Sequence, residues 1–305
     1  MIKVVAPALM HPGARTLEEF HNYWARSHGP LFSRTKDLRR YVQHLTLPEA
    51  YGHGPVPTYD GVSMFWYDDL AALRAPSNLP EAIALREAVR EDDRQLFDRL
   101  PGWPSSHKRA SVVAEERVIV DGETSPEMVK AIFIASKLPG LTLAEFFEHW
   151  HDVHGPLAAR LPGLRRYVQN HAIQEAYSFR GMTHDGWSEL WFDNLEALYA
   201  AVASPEWGAL REDGAQLFAQ PMGVGVAREL VQKEIGAEPG LSEVADWKED
   251  RIRRKLEEEG YASLAADPSV PCKIRAAALS GNLAVWTSEH VVTIDASRID
   301  ARPDT

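Results

Sequence analysis

The sequence predicts an α+β protein in which two tandem ferredoxin-like (βαββαβ) repeats pack sheet to sheet as one barrel inside a single chain, followed by a C-terminal extension. Three observations carry that expectation. Residues 15–51 and 141–177 align without a gap at an offset of 126, and 19 of the 37 pairs are identical. Unrelated segments match at roughly one position in 15–20, so chance is excluded, and a period this long exceeds the roughly 20–50 residues of a solenoid unit. Strand and helix signals then follow the same order in both copies. Finally, a sheet carrying helices on one face leaves the other bare, and a sister sheet is the economical cover. The expected units are residues 1–120, residues 128–232 and an extension over 233–305.

The second copy gives the clearer element signals. Met128–Ser136 is apolar and β-branched and runs into the turn Pro139-Gly140. Thr142 is placed to cap a helix whose Leu143, Phe146, Phe147, Trp150, Val153, His154 and Leu157 recur at spacings of three and four. Leu161-Pro162-Gly163 ends it. Strands follow at Leu164–Ile173 and Asp185–Phe192, then helix over Asn194–Leu217 with a break at Ser204-Pro205, then a strand at Gly223–Val231. In the first copy the same logic gives strand Lys3–Leu9, helix Thr16–Arg34, strands Leu38–Leu47 and Asp60–Tyr67, helix Leu79–Arg99 and strand Lys108–Val120, with Asp121–Glu127 as linker. The extension predicts a charged helix over Ser242–Glu259 and short strands at Leu283–Thr287 and His290–Ile294, with a polar end from Asp295.

Composition narrows the class of partner. A net charge of −11 disfavours nucleic acid and anionic membranes, which require a basic surface. The pairs Arg39-Arg40 and Arg165-Arg166 are too short for a nucleic-acid track. The single cysteine, Cys272, cannot form an internal disulfide, and nothing around it marks a nucleophile. The apolar run Val4–Met10 lacks a basic leader and cleavage site, and no run approaches the length of a membrane span. The expectation is a soluble, cytoplasmic protein that binds a small molecule. A homodimer through the outer surface or the extension stays open.

The pattern Phe-x-x-x-Trp-x-x-x-His-Gly-Pro-Leu, followed about ten residues on by Leu-Arg-Arg-Tyr-Val-Gln, occurs at Phe20–Gln43 and again at Phe146–Gln169. It resembles the EthD domain of the dimeric α/β-barrel superfamily. The resemblance implies the barrel argued above, with a ligand cleft between the sheet and its helices. It implies activity only broadly, since relatives include cofactor-free lyases, decarboxylases, cyclases and isomerases, small monooxygenases and haem-binding proteins.

Candidate site residues follow from which faces turn toward such a cleft. Phe146, Trp150 and His154 share a helix face, as do Phe20, Trp24 and His28. An imidazole ending an aromatic stripe is partly desolvated, with a pKa pulled to neutral or below, which suits a general base. The alternative is a ring that bonds a backbone carbonyl and fixes the Gly-Pro helix exit. On the second strand Tyr167, Gln169 and His171 share a face where the first copy has Tyr41, Gln43 and Leu45. On the third strand Asp185, Trp187, Glu189 and Trp191 share a face against Asp60, Val62, Met64 and Trp66. Glu189 is either a perturbed carboxylate or a residue of a wet cleft edge.

The second copy is therefore the expected active half. His154, His171, His151, Glu189 and Tyr167 are its candidates, and His28 keeps a site open in the first. His21 and His44 lack counterparts and read as solvated. Trp24, Trp66, Trp150 and Trp191 read as core, with Trp187 and Trp207 as core or pocket. A metal on His149, His151 and His154, or on Glu189 and His171, is disfavoured, since His149 and His151 point to different sides of the helix and no His-Glu-x-x-His pattern exists. The expected chemistry is acid/base catalysis without metal or organic cofactor on a small aromatic or polyketide-like molecule, of lyase, dehydratase, decarboxylase or isomerase type, as in aromatic compound catabolism. An oxygenase of the same barrel, or a non-catalytic binder of a hydrophobic ligand or haem, is the alternative.

Overall fold

The computed structural model describes residues 1–10, 16–52, 54–74, 79–97, 111–234, 273–279, 282–286 and 291–295. The first repeat contributes β1 (Ile2–Ala8), β2 (Leu38–Thr46), β3 (Gly61–Tyr67) and β4 (Val112–Val120). The second contributes β5 (Val129–Ala135), β6 (Leu164–Ala172), β7 (Gly186–Phe192) and β8 (Gly223–Lys233). All pairings are antiparallel, and the eight strands close in the order β1-β3-β2-β8-β5-β7-β6-β4. Within each repeat this is the ferredoxin-like order, last strand beside first.

The two sheets meet by their edges as well as their faces. β4 starts beside β1, pairing Val112–Ala114 with Lys3–Val5, and then runs on along β6 through Val120. β8 likewise pairs with β5 at its start and with β2 from Ala227 to Lys233. Each closing strand is thus shared between repeats, so every sheet edge of the barrel is hydrogen-bonded and no edge is left to template aggregation.

Helices cover the outside. In the first repeat α1 (Leu17–Tyr23) passes through a π-helical turn, Trp24–His28, into α2 (Gly29–Ser33), and α3 (Leu70–Arg74) and α4 (Pro80–Leu96) follow β3. In the second, α5 (Leu143–His149), a π turn at Trp150–His154 and α6 (Gly155–Ala158) repeat the arrangement, with α7 (Tyr177–Arg180) before β7 and α8 (Leu195–Val202) and α9 (Pro205–Gly214) after it. The helix expected to run unbroken through the histidine motif is therefore interrupted by a wider turn, whose cause is given below. No helix among the described residues is long and apolar enough to cross a membrane.

The helix–sheet layer is packed alike in both halves. Phe20, Trp24, Leu96 and Phe97 form one cluster with Ala8, and Phe146, Trp150, Leu217 and Phe218 form its twin with Ala135. Each tryptophan ring presses against a glycine of the third strand. A Cβ on Gly61 would stand 2.2 Å from the Trp24 ring, and one on Gly186 2.7 Å from the Trp150 ring. Only glycine allows that approach.

In the extension, β9 (Lys273–Leu279), β10 (Asn282–Trp286) and β11 (Val291–Asp295) form a separate antiparallel sheet. The last two match the expected hairpin within a residue, and β9 was not foreseen. The helix expected at Ser242–Glu259, Cys272 and the polar end beyond Asp295 lie outside the described residues, as do the end of the helix expected to reach Arg99 and the start of the strand expected from Lys108.

The barrel interior holds charge, and it corrects three expectations. The face of β7 carrying Trp187, Glu189 and Trp191 points into the barrel and not toward the cleft. Glu189 is fully buried there, neither wet nor at a cleft edge. Its carboxylate takes Lys3 of β1 on one oxygen and Lys130 of β5 on the other, the latter at 2.6 Å. Asn170 and the Trp187 indole also donate to it, at 2.9 and 3.0 Å. Burial alone would raise the Glu189 pKa, but Lys130 and Lys3 outweigh it and hold the group well below the carboxylate range.

His44, expected on the surface, is also fully enclosed. Its Nδ1 donates to the Val62 carbonyl at 2.9 Å and its Nε2 accepts from Lys130 at 3.0 Å. Burial and the Lys130 charge keep it neutral. His21 is no free surface group either, with Nε2 2.7 Å from the Asp60 carbonyl oxygen.

Glu189 is ionised in the fold with a pKa below its ordinary 4.5. Its pairing therefore stabilises fully above about pH 4.5 and is lost as pH falls through the lowered value. Glu189→Gln leaves two buried ammonium groups short of countercharge and should cost about 3–5 kcal/mol of unfolding free energy at pH 7. That deficit should narrow in acid. Urea titrations of both proteins at pH 7 and pH 3 check it, and matching midpoints at pH 7 would contradict the account.

Candidate active site

The second repeat places its histidine through a chain of local constraints. Thr142 caps α5, accepting from the Glu145 amide at 3.2 Å while Glu145 accepts from the Thr142 amide at 2.8 Å. Phe146 and Trp150 anchor the helix on the sheet. Pro156 cannot donate an amide hydrogen and its ring collides with the preceding helical turn. The chain responds with the π turn, in which the Gly155 amide donates to the Trp150 carbonyl five residues back. Gln169 on β6 adds a second donor to that carbonyl, at 2.7 Å. The turn, pinned at both ends, delivers His154 to the space between sheet and α9.

There His154 meets Asp213, a residue of α9. Nδ1 lies 2.8 Å from Oδ2 of Asp213, and the other carboxylate oxygen takes Nε2 of His149, also at 2.8 Å. An ionised carboxylate accepts, so Nδ1 of His154 carries the proton and Nε2 holds the lone pair. Among the described residues Nε2 has no protein partner. The ring sits edge-on to Phe218, centroids 5.0 Å apart. Burial lowers the His154 pKa below its ordinary value, and Asp213 only partly offsets that. The imidazole is neutral at pH 7 and able to accept a proton.

His154 borders a cavity of about 440 Å³. Its floor is the outer face of the sheet, with Phe133, Ala135, Tyr167, Ser188 and Leu190, and its wall is one side of α9. Tyr167 accepts from Gln169 at 3.0 Å and stands 3.4 Å from the Ser188 hydroxyl. Burial raises its pKa, so it stays protonated and can donate to a ligand.

The remaining candidates are distributed otherwise. His171 shares the outer face with Tyr167 but lies between Phe147 and Trp150, with ring centroids 4.5 and 5.1 Å away. Burial drives its pKa to about 3. Its Nε2 donates to the Gln169 side-chain oxygen at 3.0 Å, so it orients the amide that holds Tyr167 and does not border the cavity. His151 is exposed and bonds Asp152 at 2.6 Å. Glu189 lies on the far side of the sheet. Of the predicted set, the structure brings only His154 and Tyr167 to the cavity. Trp207 borders it as well, whereas Trp187 is core.

Of the two ligand sets weighed in the sequence, His149 and His154 are both engaged by Asp213 while His151 bonds Asp152, and Glu189 and His171 lie on opposite faces of the sheet. The described residues hold one other cluster with ligand spacing, His44, Glu189 and Glu229. The Lys130 ammonium contacts all three, so a cation of the protein's own already fills that place.

Asp213 was missed by the sequence reading. The signal was present as a second repeated block, Arg-Glu-Asp-x-x-Gln-Leu-Phe, at Arg90–Phe97 and Arg211–Phe218. Its offset is 121 rather than 126, so an alignment extended without a gap passes over it. The block gives the first repeat its own dyad, with His28 Nδ1 2.8 Å from Asp92, which also accepts from Tyr23 at 2.6 Å. Gln43 there bonds the Trp24 carbonyl and Tyr41 as Gln169 does in the second repeat. Gln232 takes over the task of His171 by donating to Gln43 at 2.8 Å.

The two clefts differ in filling. Phe32 stands where the second repeat has Ala158. Its ring covers Tyr41 and Phe65, centroids 5.3 and 4.7 Å away, and lies 6.0 Å from His28.

Fold and site together define a two-repeat ferredoxin-like barrel with a His–Asp pair between sheet and helices. The EthD domain model matches twice, over residues 13–99 and 138–221, and the chain belongs to the EthD-domain family. Among solved structures, an EthD-family protein from Bacillus halodurans C-125 is 26% identical (TM-score 0.29), covering 34% of this chain and 99% of its own. A dimeric protein of ferredoxin-like fold from Bacteroides fragilis NCTC 9343 is 16% identical (TM-score 0.28), covering 33% of this chain and 96% of its own. A chlorite dismutase variant from Candidatus Nitrospira defluvii is 12% identical (TM-score 0.41), covering 74% and 90%. No curated protein matches the chain by sequence.

Asp213 raises the His154 pKa against the effect of burial. Asp213→Asn should therefore lower it further, read by histidine-selective NMR titration. An unchanged or higher value would refute the dyad.

Proposed function

We propose that the second repeat is an acid/base enzyme acting on a small aromatic or polyketide-like molecule in the cleft beside His154. His154 Nε2 accepts a proton from an acidic carbon or hydroxyl of the substrate. Asp213 holds the imidazole in the required tautomer and stabilises the imidazolium that forms. Tyr167 donates to the oxygen on which negative charge develops, in a site shielded from water where such a bond is strong. The proton held on His154 returns at a different atom or to a leaving group, giving isomerisation, dehydration or decarboxylation as the substrate dictates. Protein side chains alone supply this step.

The observation that carries the reading is the His154–Asp213 pair, its Nε2 unpartnered among the described residues, bordering a cavity whose lining includes Phe133, Trp207 and Phe218. Storage of an apolar ligand would need only an apolar pocket, yet Tyr167, Ser188, Arg211 and Gln220 border this one too. The Phe32 ring, lying over Tyr41 in the first repeat, supports assigning the activity to the second.

Proton abstraction can be followed before the net reaction is known, as hydrogen–deuterium exchange by NMR on a panel of aromatic ketones bearing an acidic α-hydrogen. The native protein should accelerate exchange, with a rate that rises with pH and levels off by neutrality, because the His154 pKa is depressed. His154→Ala should lose about 100-fold or more, the usual share of a general base. Exchange that survives His154→Ala would refute the assignment.

Ala158→Phe, which copies the first repeat, should abolish exchange while the protein stays folded by circular dichroism. Retained exchange would detach the activity from this cavity.

A further inference from the structure

The cavity wall contributed by α9 is a single helix face, Trp207, Leu210, Arg211 and Gly214, recurring at spacings of three and four. Three of these are apolar. Arg211 is an exposed residue at the mouth, whereas Leu210 and Gly214 are buried beside it. Arg39, Arg165 and Arg166 elsewhere on the surface each hold an aspartate. Arg211 has no carboxylate within ion-pair distance among the described residues. Asp213, two residues on, has both oxygens occupied by His149 and His154. The cavity therefore presents a base inside, an aromatic wall and one guanidinium at its entrance.

Resting on the acid/base reading of this cleft, we propose that its substrate is an aromatic acid whose carboxylate is gripped by Arg211 at the mouth while the reacting proton faces His154. A guanidinium presents paired N–H donors that match a carboxylate in its plane. A chain of net charge −11 repels anions at long range. An anionic ligand therefore needs a local cation, and Arg211 is the cationic side chain bordering this cavity. Anchoring one end of a flat molecule also fixes which of its atoms reaches the base, so Arg211 acts as a specificity residue.

Calorimetric titration of the full chain with 2-naphthoate and with 2-naphthol, which is uncharged at pH 7, separates ring from charge. The native protein should bind naphthoate at least about tenfold more tightly, the discrimination of one charge-assisted pair. Arg211→Gln should erase that preference and leave naphthol affinity within about twofold, and Arg211→Lys should restore part of it. Equal affinity of the native protein for the two probes, or a naphthoate preference that survives in Arg211→Gln, overturns the anion assignment while His154-dependent proton exchange still stands. Failure of both probes to bind overturns this proposal together with the cleft as an aromatic site. Loss of both probes in Arg211→Gln, with circular dichroism unchanged, overturns the separation of ring from charge on which it depends.

Discussion

The carboxylate of Glu189 reaches both halves of the barrel. Glu189 rises from the second repeat and binds Lys3 of the first and Lys130 of the second. None of these charges could be buried alone, because an isolated ion inside a protein costs far more than any one contact returns. Together with Glu229, Glu116, His44 and Asn170 they form a network in which every charge has a partner. The aromatic lining contributes too, with Lys3 Nζ 4.6 Å from the Trp66 ring centre and Lys130 Nζ 3.9 Å from that of Trp191. Backbone pairing closes the barrel, but it is registered by strands whose inward residues must meet this network. A one-residue slip would turn a lysine outward and strand its carboxylate. The outward-facing residues, Tyr167 and Gln169 among them, are fixed by the same register.

The repeats share the dyad, the π turn and the glutamine that braces it. They differ in what fills the space in front of the histidine. Phe32 against Ala158 is one substitution with a large steric result, and Phe133 against Ala6 moves aromatic bulk to the opposite wall of the second cleft. Divergence has thus acted on cavity shape while the proton-handling pair is retained in both halves.

Much of the fold was legible because duplication writes it twice. The repeat marked the units, element order matched within a few residues, and Thr142 caps its helix as expected. The site was half legible. His154 and Tyr167 could be read from an aromatic stripe and from strand alternation, since each period names residues that share a face. Period two does not say which face turns inward, and Glu189 was assigned to the wrong side for that reason. His171 has the right face, but its neighbours Phe147 and Trp150 enclose it, and that depends on packing across elements. Asp213 sits on a helix whose repeat is shifted by five residues, so its partnership with His154 appears only when α9 lies against the π turn. His44 carried no local sign of burial, because its environment is built by Lys130, 86 residues away.

The unequal inner faces also bear on symmetry. Glu189 faces the barrel where its counterpart in the first repeat is Met64. Two identical subunits cannot place one glutamate and one methionine across their axis. Two copies of the second half would crowd two Glu189 and two Glu229 around two Lys130, an excess of buried negative charge. One polypeptide holding both halves can set a glutamate on one side of the axis against a methionine on the other, so that Lys3 and Lys130 share Glu189 from a single side.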